Sequence, residues 1–392
     1  MGGNDLSSLQ KLPPTLKQLT LSGRGYFKCG EIFSKIPIGL NYLHLSNCDA
    51  MRYADTDFSK FKNLKLLKLS GCGIDNSIVN NIQFPDSLEK LNLSDNTIES
   101  IDKVKFPQGI VSLCLGCNRL NLIEGHKFPQ TLKKLDVSGN KIKSARLLRN
   151  ELDEELKIES LFLASDSHGL SCCELPTRVQ TLLLDQFKPF NGQRIGDNLV
   201  SSSIMDCDNF HYINFGAQSK LRYLSMHNCD LEGFNKSSLS RLEEIELSFM
   251  SKVPQGLGHL KKLRYFMLTK SPIEHAVINF YSDSLEVLDL SSNRIENVQL
   301  TFPDGNTNLK RLDLGGNCLQ DISLEDIGHT SKSKYSDLCE LGLYDNRELS
   351  NDRITVLIQQ LIIMTKCLWT NETVKIFYNR YVNNHLIRNT IK

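Results

Sequence analysis

Long apolar runs are missing from this chain. No segment of its 392 residues approaches the roughly 18 consecutive apolar residues that cross a bilayer, and Met1 is not followed by a basic stretch leading into an apolar one. A soluble chain with no membrane partner is expected. Met1-Gly2-Gly3-Asn4-Asp5-Leu6 puts Leu where a myristoylation signal needs Ser or Thr, and Ile391-Lys392 matches no prenylation or retention signal. An excess of one charge is missing too. With 46 basic and 45 acidic residues the net charge is +1, which gives no reason to expect a nucleic acid or an acidic membrane as partner.

Motifs for chemistry are equally scarce. There is no Gly-rich loop ending in Lys-Ser or Lys-Thr, no His-Glu-x-x-His and no Gly-x-Ser-x-Gly. Cys114-Leu115-Gly116-Cys117 stands alone, and a structural zinc needs four ligands; the vicinal Cys172-Cys173 has no second pair either. The acidic run Glu243, Glu244 and Glu246 reads as a solvated face. No catalytic residue, metal, cofactor or small-molecule substrate is expected.

What the chain does have is one phrase written many times. Leu88-Glu89-Lys90-Leu91-Asn92-Leu93-Ser94-Asp95-Asn96 returns 22 residues later from Ile110 to Asn118, and again from Leu132 to Asn140. Apolar residues hold the first, fourth and sixth places and Asn holds the ninth. Over the fourth to sixth places the period is 2, so Leu91 and Leu93 point one way and Asn92 the other, as in a short strand. Such a strand needs stacked copies to form a parallel sheet and a continuous core. The ninth-place amide, donor and acceptor at once, can satisfy backbone groups left over where the chain turns away.

Stepping outward gives fifteen repeat starts between Leu16 and Leu338, 21 to 29 residues apart. The copy taken to start at Val200 has Ser203 where Leu is expected and is placed by spacing alone. Ninth places hold Cys at Cys48, Cys72 and Cys229, and have lost both Asn and Cys at Arg24, Phe187, Met250 and Ser271, where the ladder is in doubt. An apolar residue followed by Pro ends many return segments, as in Phe84-Pro85, Phe106-Pro107 and Phe128-Pro129, because Pro stops a helix and turns the chain back. Most return segments are too short for long helices; residues 141–157, rich in Leu, Glu, Arg and Lys, are expected to include a helical turn or two. The run Thr330 to Lys334 reads as a surface loop. After Asn346 the phrase stops, and Ser350-Asn351-Asp352 followed by Ile354, Leu357, Ile358, Leu361 and Ile362 reads as a capping helix. At the other end no cap is apparent: either it is minimal or the chain is the remainder of a longer protein.

Twelve cysteines spread through the repeats, with one in the last 46 residues and none in the first 28, do not form terminal disulfide caps. An intracellular, cytoplasmic chain is expected. The sequons at Asn92, Asn235 and Asn371 do not change this, since Asn92 falls within an expected strand.

The phrase resembles the leucine-rich repeat superfamily over roughly residues 12–346. Asn96-Thr97-Ile98-Glu99-Ser100-Ile101 is similar to short intracellular repeats of the phosphatase-regulatory type, and the Pro-x-x-Leu connections are similar to those of bacterial effector, amoebal and fungal arrays. The resemblance implies an α/β solenoid: a curved horseshoe of about fifteen parallel strands over residues 1–346, with mostly irregular or 3-10 convex segments. A helical C-terminal cap and tail would fill 347–392. It also implies a non-catalytic scaffold that binds a partner protein on the concave sheet. The alternative is a recognition or regulatory subunit of a larger enzyme complex, such as a ubiquitin-ligase substrate receptor or a phosphatase regulator.

Down the fifth places, Phe162, Leu183 and Ile204 are three apolar residues in a row where side chains should meet water. Strands lie about 4.8 Å apart, so these would form a patch about 10 Å long. Either the patch is exposed and extends to Tyr223, Tyr265 and Met267, or a loop covers it, or the 21-residue repeats shift the register. Lys65, Lys68, Lys90, Lys133 and Lys134 precede it; Glu243, Glu244, Glu246, Glu286 and Asp289 follow, a field able to orient a partner. The residues expected to touch that partner are Phe162, Leu183, Ile204, Tyr223, Tyr265 and Met267, with Lys68, Lys90, Glu244 and Glu246 steering.

Overall fold

The structure, a computed structural model, describes residues 12–22, 34–47, 57–123, 125–145, 149–164 apart from 151 and 153, 172–173, 178–207 apart from 187 and 190–192, 213–215, 219–229, 239–303 apart from 255 and 258–259, 308–328, 338–364 and 375–377. Arg24, Cys48, Phe187, the sequons at Asn235 and Asn371 and the 330–334 run lie outside the described residues. The chain forms two compact units, Met1–Ser202 and Ser203–Lys392.

In the first unit each expected repeat gives one strand: β1 (Gln18–Ser22), β2 (Tyr42–Ser46), β3 (Leu66–Ser70), β4 (Lys90–Asn92), β5 (Ser112–Cys114), β6 (Lys134–Asp136), β7 (Ser160–Ala164) and β8 (Thr181–Asp185). They pair in parallel and in sequence order, place matching place, as in Leu67 beside Leu91, Leu113 beside Leu135 and Leu161 beside Leu182. Fourth- and sixth-place side chains are fully buried at Leu67, Leu69, Leu113, Leu115, Leu135 and Val137. Burying each Leu contributes about 2 kcal/mol, so a coil's cohesion comes from its neighbours on either side.

Two backbone devices fix the register. The amide of the first-place residue donates to the carbonyl three residues earlier, which in Pro-bearing coils belongs to Pro: Leu88 to Pro85, Ile110 to Pro107 and Leu132 to Pro129, each 3.1 Å. The second- and third-place amides then converge on the second-place carbonyl of the preceding coil, as Glu89 and Lys90 do on Lys65 and Gln180 and Thr181 do on Glu159.

The ninth-place Asn locks coil to coil as the sequence implied. The Asn118 side chain donates to Leu93 O at 3.0 Å in the preceding coil and to Leu115 O at 2.9 Å in its own, while its oxygen accepts from the Ile98 amide at 3.0 Å. Asn96 and Asn140 repeat this. Cys72 keeps half of it: its thiol lies 3.4 Å from Leu45 O and 3.6 Å from Ser70 O. The residue before is left-handed in coil after coil, with φ between 48° and 65° at Asn47, Gly71, Asp95, Cys117, Gly139 and Asp206.

In the second unit the ladder comprises the rest of β9 (Ser201–Met205, which spans the boundary), β10 (Tyr223–His227), β11 (Glu244–Ser248), β12 (Tyr265–Thr269), β13 (Val287–Asp289), β14 (Arg311–Asp313) and β15 (Glu340–Gly342). All fifteen expected strands are present. Asn317 and Asn346 make the bonds described for Asn118, and Asn293 donates likewise to Leu268 O and Leu290 O while its oxygen accepts from the ninth-place Ser271 amide. Ser271 does better than its loss of Asn suggested: its hydroxyl accepts from the Met250 amide at 2.9 Å and donates to Thr269 O at 2.9 Å.

Several details differ from the sequence reading. The described residues of 141–157 show short strands, Ser144–Ala145 and Arg149–Asn150, and no helical turn; Arg149–Asn150 pairs in parallel with Lys127–Phe128, an edge that a helix would leave unpaired. Two return segments of the second unit, His275–Asn279 and Asn297–Thr301, also pair in parallel, and behind them Phe280 and Phe302 stack with centroids 5.1 Å apart. The helix α1 (Asn76–Val79) is one turn long; α2 (Asn351–Met364) lies where the apolar spacing put it and buries Ile354, Leu357 and Leu361. Beyond it an unforeseen strand, β16 (Lys375–Phe377), pairs in parallel with β15. Among the described residues no helix is long and apolar enough to cross a membrane.

Asn118→Ala is expected to lower unfolding free energy by about 3 kcal/mol, because buried backbone groups in two coils lose their partner. Asn118→Cys should lose less, since a thiol can still donate as Cys72 does. Urea denaturation of the three proteins side by side checks the order.

Candidate functional site

The outward row of the first unit carries Thr20, His44, Lys68, Asn92, Cys114, Asp136, Phe162 and Leu183 at successive fifth places. Phe162 and Leu183 are register partners, both half-buried, so part of each apolar side chain stays on the sheet face. The Lys134 ammonium sits 4.9 Å from the Phe162 ring centroid, a cation–π contact that holds the ring against the strand. Lys68 is half-buried on β3 and Lys90 exposed on β4. Tyr42 and Leu66, register partners at third places, are half-buried on the same face and were not singled out from the sequence.

Ile204 is not on the surface. It is fully buried, and Ser202 is buried with it, while Ser203 and Met205 take the outward positions. The Val200 and Ser201 amides both donate to Gln180 O, as the second- and third-place amides of Gln180 and Thr181 do to Glu159 O one coil earlier, so this repeat starts at Leu199. Ile204 is then a sixth-place core residue and Cys207, also buried, holds the ninth place. The expected three-residue patch reduces to Phe162 and Leu183. The cause is Ser202: a hydroxyl in the fourth, core place hides the phrase, and spacing alone put the start one residue late.

On the face of the second unit Tyr223, Tyr265 and Met267 are half-buried and outward, as expected. Tyr223 and Tyr265 flank Glu244 in the third-place row; Ser225, Glu246, Met267 and Asp289 follow one another in the fifth-place row. The Arg222 guanidinium lies 5.6 Å from the Tyr223 ring centroid. Burial, followed by the charges of Asp289 and Glu246, pushes the Tyr265 phenol above its usual range.

The charged field is organised differently from the sequence reading. Second-place residues pair across neighbouring coils: Lys65 with Glu89 at 2.6 Å and Lys133 with Glu159 at 3.1 Å, then Arg222 with Glu243 at 2.6 Å. Glu286 lies between Arg264 at 2.6 Å and Lys310 at 2.8 Å, whose hydrogen bonds pull its carboxyl down to about 2. Lys65, Lys133, Glu243 and Glu286 are therefore neutralised by their neighbours and add little to a steering field. Lys68, Lys90, Glu244 and Glu246 are in no ion pair among the described residues.

Phe249 was missed. It occupies the left-handed eighth place with φ 55°, keeps 48 % of its surface exposed and lies 4.5 Å, centroid to centroid, from the His227 ring. A bulky aromatic side chain in that conformation is an outlier, where other coils use Asn, Asp, Gly, Ser, Cys, Gln or Lys. The sequence signal would have been the composition of the eighth place. Cys114, from the lone Cys-x-x-Cys, faces Asp136 with Sγ 3.5 Å from Oδ2; burial first, then that carboxylate, pushes its thiol up to about 11.

Strands, inward Leu rows and ninth-place amides bridging consecutive coils together make up one repeat geometry, and two models of the leucine-rich repeat family match the chain, at residues 128–145 and 283–335. The chain has a leucine-rich repeat fold. Among solved structures it is similar to an internalin (inlF) from Listeria monocytogenes, with 18 % identity, TM-score 0.50 and coverage of 83 % of this chain and 88 % of that one. It is also similar to the leucine-rich repeat domain of APL1B, with 14 % identity, TM-score 0.51 and coverage of 80 % and 94 %. At these identities the likeness concerns the fold. No curated protein is significantly similar in sequence. Leucine-rich repeats generally mediate contacts between proteins, and the fold is typically non-catalytic.

Phe249→Asn is expected to raise unfolding free energy by about 1 kcal/mol, because Asn adopts the left-handed conformation at lower cost and does so at Asn228 one coil earlier. Chemical denaturation measures this. A loss of stability would mean that the ring on His227 outweighs the backbone strain.

Proposed function

We propose that this leucine-rich repeat protein is a non-catalytic interaction scaffold, and that in its first unit the sheet face around Phe162 and Leu183 is where a partner protein docks. The observation that carries this reading is the side-by-side placement of two half-exposed apolar side chains in a row that is otherwise mostly polar. Apolar side chains held on rigid strands lose little conformational freedom on contact, so their burial by a partner converts efficiently into affinity. Lys68, Lys90 and Lys134 on the same face suit a partner with acidic groups around an apolar anchor. In the second unit Tyr223, Tyr265 and Met267, with Glu244 and Glu246, are the corresponding contact residues.

The chain is further proposed to work in a reducing, cytoplasmic compartment. The use of Cys72, Cys207 and Cys229 as buried free thiols in the ninth place supports this, because there the thiol serves as a hydrogen-bond group of the coil.

Leu183→Glu is expected to abolish capture of the partner by the full chain while shifting thermal unfolding little, since the side chain is half-exposed and its strand neighbours remain. Affinity purification with cross-linking, run beside a thermal melt, decides the matter. Capture that persists in Leu183→Glu sinks the assigned face, and a steep fall in melting temperature would show that Leu183 belongs to the core.

A further inference from the structure

We infer that the sheet face of the second unit docks a basic segment of a partner protein, one that presents Arg or Lys side chains across β11 to β14. The inference rests on the scaffold reading and adds the chemistry that this face selects. Among the described residues of β11 to β14 the outward third and fifth places hold Glu244, Glu246, Asp289 and Asp313 against a single cation, Arg311, which stands 3.6 Å from Asp313 and 3.7 Å from Glu340 of β15, whose register partner on β16 is Lys375. The corresponding places of the first unit hold Lys68, Lys90 and Lys134 against Asp136, so the acidity is particular to this face.

The placement of cations on the same strands sharpens the point. One residue before Glu244, Glu243 is paired with Arg222; one residue before Val287, Glu286 is paired with Arg264 and Lys310. Glu244 and Glu246 have no such partner among the described residues. Asp289 and Asp313 are nearly buried, each with one oxygen bound to the amide two residues on, Ser291 at 2.9 Å and Gly315 at 3.0 Å. Burial, with Asp289 beside it, raises the Asp313 carboxyl above its usual range, so a cation arriving there would relieve an unfavourable environment.

The floor between these carboxylates is apolar. Tyr265 lies beside Glu244, and Met267 lies between Glu246 and Asp289. An aliphatic stem of Lys or Arg can pack on Met267 while its head reaches a carboxylate, and a guanidinium can lie over the Tyr265 ring. Phe249, exposed three residues after Glu246, adds an aromatic margin. Glycines make room for the charged end of this floor. A Cβ on Gly342 would stand 2.4 Å from Asp313 Oδ1, and one on Gly315 would stand 2.3 Å from the Tyr344 ring.

Spacing selects the segment. Glu246 and Asp289 are two strands apart, about 10 Å, which a polyproline II chain crosses in about three residues, one full turn that returns its side chains to the same side. A segment with basic residues at every third position, running across the strands, meets both. The tripeptide repeat thus specified is a property of a polypeptide, and a compact cation cannot span these rows.

The test uses the full chain and a fluorescent peptide of four Arg-Gly-Ser triplets, read by anisotropy at low and at physiological salt. The peptide should bind, and a counterpart with Glu in place of Arg should not. Glu244→Gln with Glu246→Gln should weaken binding at least about tenfold, the loss expected when one partner of a charge pair is removed. Tyr265→Ala should weaken it independently, and Lys103→Gln with Lys105→Gln, both exposed outside the strands, should leave it unchanged, with circular dichroism melts confirming that each variant folds. Equal binding of the Glu counterpart, full affinity in the double Gln variant, or displacement by spermine at equal charge concentration would each overturn the inference. Failure of the probe alongside Leu183-dependent capture would sink this inference alone. Probe binding with capture indifferent to Leu183 would sink the first-unit face and leave this one standing.

Discussion

The side chain at the ninth place of each coil is what the stack depends on. A short strand turning back on itself leaves amides and carbonyls inside the turn with no water to meet them, and one Asn amide satisfies groups of its own coil and of the coil before it. Asn118 does this with Leu93 O, Leu115 O and the Ile98 amide. Because its bonds cross from one coil to the next, each coil is completed by its successor, and the Leu rows remain aligned over many turns. A thiol or hydroxyl can stand in, but with fewer bonds. Cys229 reaches Ile204 O at 3.5 Å and His227 O at 3.3 Å, and Ser271 makes two bonds.

This gives the second unit an internal gradient. Its first four ninth places are Cys207, Cys229, Met250 and Ser271, and only then does Asn return at Asn293, Asn317 and Asn346. The coils least tied by amide bonds are those that carry Tyr223, Glu244, Glu246, Phe249, Tyr265 and Met267 on or beside the sheet face. Local opening costs least where crossing hydrogen bonds are fewest. Left-handed Phe249 belongs to the same stretch, so backbone strain, substituted ninth places and outward apolar groups coincide in four successive coils.

How much of this was legible in the sequence follows from which physical signals survive in one dimension. Burial of fourth- and sixth-place side chains and the two-sided demand on the ninth place restrict residue type sharply, so Leu91, Leu93 and Asn96 announce their coil, and all the strands but the one after Val200, which spacing alone placed, could be set from the phrase. Outward positions accept almost any side chain and announce themselves only through the inward ones beside them. Ser202 broke that link: with a hydroxyl in the core place, Ile204 was assigned to the wrong side of the sheet although its neighbours were read correctly. Pairing of return segments, such as His275–Asn279 with Asn297–Thr301, has no phrase at all, because it depends on two extended backbones reaching the same height in successive coils. The same holds for Lys65 with Glu89 or Arg264 with Glu286, whose contact is set by the coil repeat and appears once the register is known.

Those ion pairs bear on function more than on stability. They are exposed, and such pairs contribute about 0 to 1 kcal/mol each. Their effect is to take charges of both signs out of play at the second place, one residue before the outward row begins. Had Arg222 or Arg264 stood one residue later, each would have stood beside Glu244 in the third-place row and partly neutralised it. The alternation of side chains along a strand therefore separates two charge systems: a balanced one at the strand entrance, and an unbalanced, acidic one on the face of β11 to β14. Opposite charges in close pairs cancel a few ångströms away, whereas unpaired carboxylates keep a net field out to about a Debye length, roughly 8 Å at physiological salt, and so only the second can discriminate between approaching chains by the sign of their charge.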